Sequence, residues 1–330
     1  MLTIPERKKR WADLYENKRR TAVIFNSDYG TRPWPYRENM EQRFEWALNA
    51  YRIQMETVSW LDAETIPYLY PYTGTEIFAE ALGCKVHLPG NDMPFALPFI
   101  NDASDLKKVK IPRLEDSTVQ ELFDLADRLK KEEPDGILRI PDIQSPFDIA
   151  ALMWEKIDFF AAMIEEPNAV KELILMVEEF LVKFLDTWFG RYGKDFVAHW
   201  PDYYMPYGIT LSEDECGAIS PDMFNEFCID SLNRLSKRYG GLMGMHCCAD
   251  AVHQWDNFKN IHGLKLLNFG QPEEVIKKTY EYFPDLCHMH GKDPDDAQKK
   301  KARVVVQEWV HGKQETIEKL AAIREAYGEE

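Results

Sequence analysis

Short apolar strand patterns alternate with helical ones along most of this chain, and that alternation constrains its fold more than any other feature. Residues 21–26 (TAVIFN) read as a buried strand ending at the turn Ser27-Asp28-Tyr29-Gly30. Apolar residues at helical spacing follow over 38–55, with Phe44, Ala47, Leu48, Tyr51 and Met55 on one face. Residues 57–70 carry β-branched and aromatic side chains ahead of a Pro-rich turn, and 117–131 form an amphipathic helix ended by Pro134-Asp135-Gly136. Beyond it, strands are expected at 137–143, 196–200, 241–248, 264–269, 285–290 and 303–310. Between them lie helices such as 167–189 and the one opened by Ser220-Pro221. Parallel neighbours need crossover connections, so these units give a parallel sheet covered by helices. About eight of them in roughly 300 residues favour a closed (β/α)8 barrel of the TIM type over an open doubly wound sheet. Residues 1–20 are expected as a polar helical extension. No repeat, linker or low-complexity stretch marks a boundary, so 1–330 is expected to be one domain.

Charge and motif content remove several function classes. Lys and Arg number 40 against 56 Asp and Glu, a formal charge of −16. Clustered basic residues that could displace counterions are missing, which argues against nucleic acid or an anionic membrane as partner. Neither a Gly-x-Gly-x-x-Gly turn nor a Gly-Lys-Ser/Thr phosphate loop is present, and there is no Gly-x-Ser-x-Gly elbow. No apolar run is long enough to span a membrane and the N-terminus lacks the apolar core of a signal peptide, so a cytoplasmic protein is expected. Its six cysteines are then expected as thiols, with Cys84, Cys216 and Cys228 buried.

In a parallel barrel the reactive groups stand at the C-terminal ends of strands. The residues there are Asn26 and Asp28, Gln144, Trp200 and Asp202, His246 and Cys248, Asn268 and Gln271, His288 and His290, and His311. Half of the chain's eight histidines fall in this set. Side chains two apart on a strand face the same way, so His246 and Cys248 can both point inward while Cys247 points to the helices. Imidazole and thiolate side by side are good zinc ligands, although a buried pair of small thiols beside a core histidine would give the same pattern. Trp200, Tyr203, Tyr204 and Tyr207 could wall a pocket for a flat or cationic ligand, or simply close the end of the barrel. The run Ser212-Glu213-Asp214-Glu215 reads as a solvated loop from which one carboxylate could serve as a metal ligand or general base.

Several segments together resemble the uroporphyrinogen decarboxylase superfamily, which includes zinc-dependent corrinoid methyltransferases. They are Gly83-Cys84-Lys85-Val86 with the segment 102–112, Ser145-Pro146-Phe147-Asp148-Ile149-Ala150, Glu165-Glu166-Pro167 and Ile219-Ser220-Pro221-Asp222-Met223-Phe224. Gly244-Met245-His246-Cys247-Cys248 and His290-Gly291-Lys292-Asp293-Pro294 complete the set. The resemblance runs from about residue 66 to the C-terminus and implies a TIM-type barrel. Where the decarboxylases carry an Arg-Gln-Ala-Gly-Arg element, this chain has Asp28-Tyr29-Gly30-Thr31-Arg32.

The methyltransferase branch has His-x-Cys on the fifth strand and a further Cys on the eighth. Here His246-x-Cys248 matches the first part, and His311 stands where the resemblance places the last ligand; His290, Cys287 and Glu308 are its substitutes. The resemblance therefore implies zinc on His246, Cys248 and His311, and methyl transfer between a small methylated compound and a corrinoid carried by a partner protein. Asp202 and His290 are the expected catalytic residues. Trp200, Tyr203, Tyr204 and Tyr207 are expected to line the substrate pocket, with Asn268 and Gln271 as hydrogen-bonding groups. The alternatives are a metal-free decarboxylase, which would recognise carboxylates through Arg32, Arg37 or Arg139, and a non-catalytic ligand-binding barrel.

Overall fold

A computed structural model describes residues 1–200, 202–289 and 303–328. Its strands are β1 (Thr21–Asn26), β2 (Tyr68–Leu69), β3 (Lys85–His87), β4 (Phe95–Leu97), β5 (Ile137–Leu138) and β6 (Phe196–Val197). They continue as β7 (Tyr204–Met205), β8 (Ile209–Ser212), β9 (Met243–Cys247), β10 (Leu264–Phe269), β11 (Cys287–Met289) and β12 (Arg303–Trp309). One parallel sheet runs in the order β1-β12-β11-β10-β9-β8. Shorter contacts carry the wall round from β1 to β8. The Glu64 amide donates to the Val23 carbonyl at 2.8 Å, β2 pairs with β5 in parallel, and single bridges join Arg139 to Val197 and Gln144 to Ser212. The result is the TIM-type barrel that the alternation implies.

The fourth barrel position is built from two pieces, which the sequence pattern does not reveal. After β6 the chain folds back as β7, antiparallel to it, and only then rises again as β8. Gly208 makes the second reversal possible: its φ is +94°, and a Cβ there would sit 1.9 Å from the Leu242 carbonyl oxygen. The segment 202–208, which carries Tyr203, Tyr204 and Tyr207, is therefore partly strand. The helix expected over 38–55 runs from Met40 to Trp60, because Gln54, Thr57 and Val58 continue its buried face.

The N-terminal extension is the helix Ile4–Tyr15, opened by a Thr3–Glu6 capping box. It packs across the N-terminal end of the barrel. Trp11 Nε1 donates to the Glu64 carbonyl at 2.8 Å, and the Tyr15 hydroxyl donates to the Tyr204 carbonyl at 2.6 Å. Buried Arg7 donates to the carbonyls of Val58, Leu61 and Ala63. With that end covered, the open end is the one where the strands point their C-termini. Among the described residues, no helix is long and apolar enough to cross a membrane.

One buried acid near that open end makes stability pH-dependent. Glu76 is 7% exposed, and burial pushes its carboxyl up from an ordinary 4.5 to about 7. A raised folded-state pKa favours the protonated form, so its contribution is complete below about pH 4.5 and is lost as pH rises to about 7. Glu76→Gln, neutral throughout, should escape that loss. Its stability relative to wild type is expected to rise by roughly 3 kcal/mol between pH 4.5 and 8, read from denaturant midpoints. Parallel pH curves for the two proteins would contradict this.

Candidate functional site

The C-terminal ends of β8 and β9 bring three metal-compatible donors together. Alternation along β9 turns Cys247 into the core, where its sulfur lies 3.8 Å from that of Cys216, and leaves His246 half-buried and Cys248 exposed at the rim. Asp214, in the turn after β8, completes the group: its carboxylate, an imidazole nitrogen of His246 and the Cys248 sulfur all lie within 4.8 Å of one another. Tetrahedral zinc holds its donors roughly 3.5 Å apart, so small side-chain rotations would close the set around an ion.

The surroundings suit that use. The His246 Nδ1 hydrogen-bonds the side-chain Oδ1 of Asn268, its register partner on β10, which leaves Nε2 as the free lone pair. The Cys248 amide donates to Asp214 Oδ1 at 2.6 Å, and Gln271 Nε2 donates to the carbonyls of Cys248 and Ala249. Beneath them the carboxylate of Asp148 accepts the amides of Asp214 at 2.7 Å and Glu215 at 3.0 Å, which fixes the turn that aims Asp214. Burial pushes Asp148 up to about 7, and burial together with Asp148 raises the enclosed Glu213 as well. Burial and the Asp214 carboxylate also push the Cys248 thiol up to about 12.

Facing the donors, the ends of β2, β5 and β6 form an aromatic and charged wall. A narrow cleft, about 10 Å³ in volume, is lined by Asp142, His199, Trp200, Thr210, Ser212 and His246 among others. Half-exposed Trp200 stacks on His246, with ring centroids 5.8 Å apart and planes at 24°. His199 Nε2 lies 3.2 Å from Asp142, its Nδ1 is 2.9 Å from the Tyr70 hydroxyl, and the Ser212 hydroxyl donates to Asp142 at 3.1 Å. Burial opposes the charge on Asp142, yet His199 and Ser212 hold its carboxyl below the usual range, while burial lowers the His199 imidazole. The pair is thus a neutral imidazole against a carboxylate, with Tyr70 donating to Nδ1.

The other expected site residues are dispersed. His311, expected as the third zinc donor, is exposed beyond β12 and stands outside the donor group; its amide bonds the Thr316 hydroxyl at 3.3 Å. Cys287 is fully buried, Glu308 is paired with Lys319 at 2.6 Å, and His290 lies outside the described residues. Asp202 faces Arg139 at 2.5 Å rather than open solvent. The fold-back through β7 carries the tyrosines away from the mouth. Tyr203 packs edge-on against Trp11, Tyr204 reaches Asp195 at 3.2 Å, and Tyr207 sits beside Gly240 on the flank of the helix 167–192. Asp142, Tyr70 and Asp148 escaped the sequence-based set; Asp142 follows a Pro two residues before the strand-end position assigned to Gln144, the one faint signal for it.

Comparison with known proteins fits this geometry to a family. The family model described as uroporphyrinogen decarboxylase matches residues 49–292, well over half of the chain. No curated protein matches the sequence. Among solved structures, a methyltransferase from Methanosarcina mazei superimposes with a TM-score of 0.67 at 14% identity, over 99% of this chain and 100% of that one. At that identity the likeness is one of fold.

Proposed function

The chain belongs to the uroporphyrinogen decarboxylase family, and from that premise we propose that it is a zinc-dependent methyltransferase. It moves a methyl group from a heteroatom of a small methylated compound to a reduced corrinoid carried by a separate protein. The donor group of Asp214, His246 and Cys248 at the barrel mouth carries this reading, supported by the fold shared with the methanosarcinal methyltransferase.

Imidazole, thiolate and carboxylate together suit zinc, and held there the ion would supply Lewis acidity toward the heteroatom that loses its methyl. Asn268 keeps His246 in the tautomer that leaves Nε2 free, and Asp148 holds the turn bearing Asp214. Gln271 fixes the backbone just after β9. Asp142, ionised and steadied by His199 and Ser212, presents an acceptor to any N–H or O–H of the substrate beside the donors. In the transfer the heteroatom–carbon bond breaks, the carbon–acceptor bond forms, and the heteroatom keeps the bonding pair and takes a proton from solvent.

The decarboxylase alternative needs arginines free to grip carboxylates. Of the three expected to do so, Arg139 is committed to Asp202 and Arg37 lies between Glu80 at 3.1 Å and Glu121 at 2.8 Å, which leaves only Arg32, over the Tyr72 ring, for that task. The test is to incubate zinc-loaded protein with cob(I)alamin and a panel of methylated ethers, amines and thiols, following the methylcobalamin spectrum. Methylcobalamin formation from one class is the expected result. No transfer from any class, with no zinc retained by protein purified without a histidine tag, would return the question to decarboxylation or ligand binding.

A further inference from the structure

We infer that the chain forms a two-fold dimer in which an acid-flanked apolar helix of each copy seats on an apolar β-hairpin of the other. The helix is Lys156–Glu165. Phe159, Ala162 and Met163 bury one side of it, while Ile157, Phe160, Ala161 and Ile164 recur at spacings of three and four along the other. Ile157 is 84% exposed and Ile164 72%, so this stripe faces away from the core. The hairpin is β3 with β4, which pair only with each other among the described residues. Register sets Lys85 opposite Leu97 and His87 opposite Phe95. Cross-strand partners and residues two apart share a face, so these four exposed side chains stand together, with exposed Leu88 at the end of β3.

The two patches adjoin. The Phe99 and Ile100 amides donate to the Met153 carbonyl at 3.0 and 3.1 Å, and the Glu155 amide donates to the Ile100 carbonyl at 2.8 Å. The chain leaving β4 therefore runs beside the chain entering the helix.

Charge selects the pairing. Glu155, Asp158, Glu165 and Glu166 flank the helix stripe, all exposed and without an ion pair among the described residues, and Lys156 is already paired with Glu215. This helix laid on its own copy would set acids against acids. The hairpin instead offers Lys85, exposed and without an ion pair among the described residues, beside its apolar side chains. Helix on hairpin is thus the matched contact, and a two-fold axis between adjoining patches makes it twice. The exposed parts of Leu88, Phe95, Leu97, Ile157 and Ile164 come to roughly 500 Å² per copy, or about 1,000 Å² for the pair, which reaches the range of a specific interface.

Sedimentation of the full chain from about 1 to 100 μM tests this, with a species of twice the chain mass expected. Ile157→Asp with Ile164→Asp, and separately Phe95→Asp with Leu97→Asp, should each weaken the dimer about tenfold or more. All four positions are exposed, so circular dichroism should change little. In either variant alone both helix–hairpin contacts are damaged, whereas a mixture of the two joins one intact helix to one intact hairpin. Mixing should therefore restore association. Lys85→Glu, which touches no apolar residue, should weaken the dimer about threefold at low salt. A wild type that stays monomeric over that range, double variants that dimerise as tightly as wild type, or mixing without recovery would each overturn the inference.

Discussion

Alanine at His246 or at Cys248 is expected to abolish zinc retention while leaving the barrel folded. Each removes one of three donors, and losing a single donor from so small a set should weaken binding on the order of a hundredfold or more. Neither side chain carries the core: His246 is half-buried and Cys248 exposed, so circular dichroism and melting should change little. Asp214→Ala should behave like the other two, and His311→Ala should leave the metal content unchanged, because His311 stands outside the donor group. Asn268→Leu, which frees the His246 ring to rotate, should weaken zinc about 10- to 100-fold without removing a ligand. Uptake should also strengthen as pH rises. The Cys248 thiol, pushed up to about 12 by burial and Asp214, gives up its proton to bind the ion. Metal analysis of untagged protein decides the matter; unchanged zinc in both the His246 and Cys248 variants would remove this centre.

Sequence periodicity reaches the barrel because it depends on local pattern. The residues 21–26 and 264–269 form strands with the bounds that their apolar runs mark, and alternation on β9 separates His246 and Cys248 from Cys247. What it misses depends on contacts between distant segments. Within Ser212-Glu213-Asp214-Glu215 no pattern distinguishes Glu213, wholly buried, from Asp214, which reaches Cys248 across the neighbouring strand. The three tyrosines of the 201–208 segment leave the mouth because a two-residue strand, β7, pairs back onto β6, and two residues are too few to show a period. Asp142 and His199 acquire their role only from each other, 57 positions apart in sequence but 3.2 Å apart in space. The same holds for Asp202. Its place after a strand suggests an acid open to substrate, whereas its partner Arg139 comes from a different strand.

That pairing gives the largest expected change in stability. Asp202 meets Arg139 Nη1 at 2.5 Å, accepts the Tyr68 hydroxyl at 3.1 Å and lies 3.4 Å from Gln307 Nε2. Both charged side chains are nearly enclosed, at 10% and 13% exposure, and the Arg139 guanidinium also donates to the Tyr68 hydroxyl and the His199 carbonyl. Asp202→Ala would leave that guanidinium buried against the faces of Tyr68 and Tyr70 with no counter-charge. Breaking a buried pair from one side costs about 3–5 kcal/mol, so the variant should lose stability on that scale in denaturant unfolding. Asp202→Leu combined with Arg139→Met should recover most of the loss, because an apolar pair removes both desolvated charges together. A substrate-orienting acid with no structural part would behave differently: Asp202→Ala would lower kcat/KM while leaving stability within about 0.5 kcal/mol of wild type. The structure favours the first outcome, since Asp202 is nearly enclosed between Arg139, Tyr68 and Gln307 and ties Arg139 and Tyr68 into the aromatic wall facing the donors.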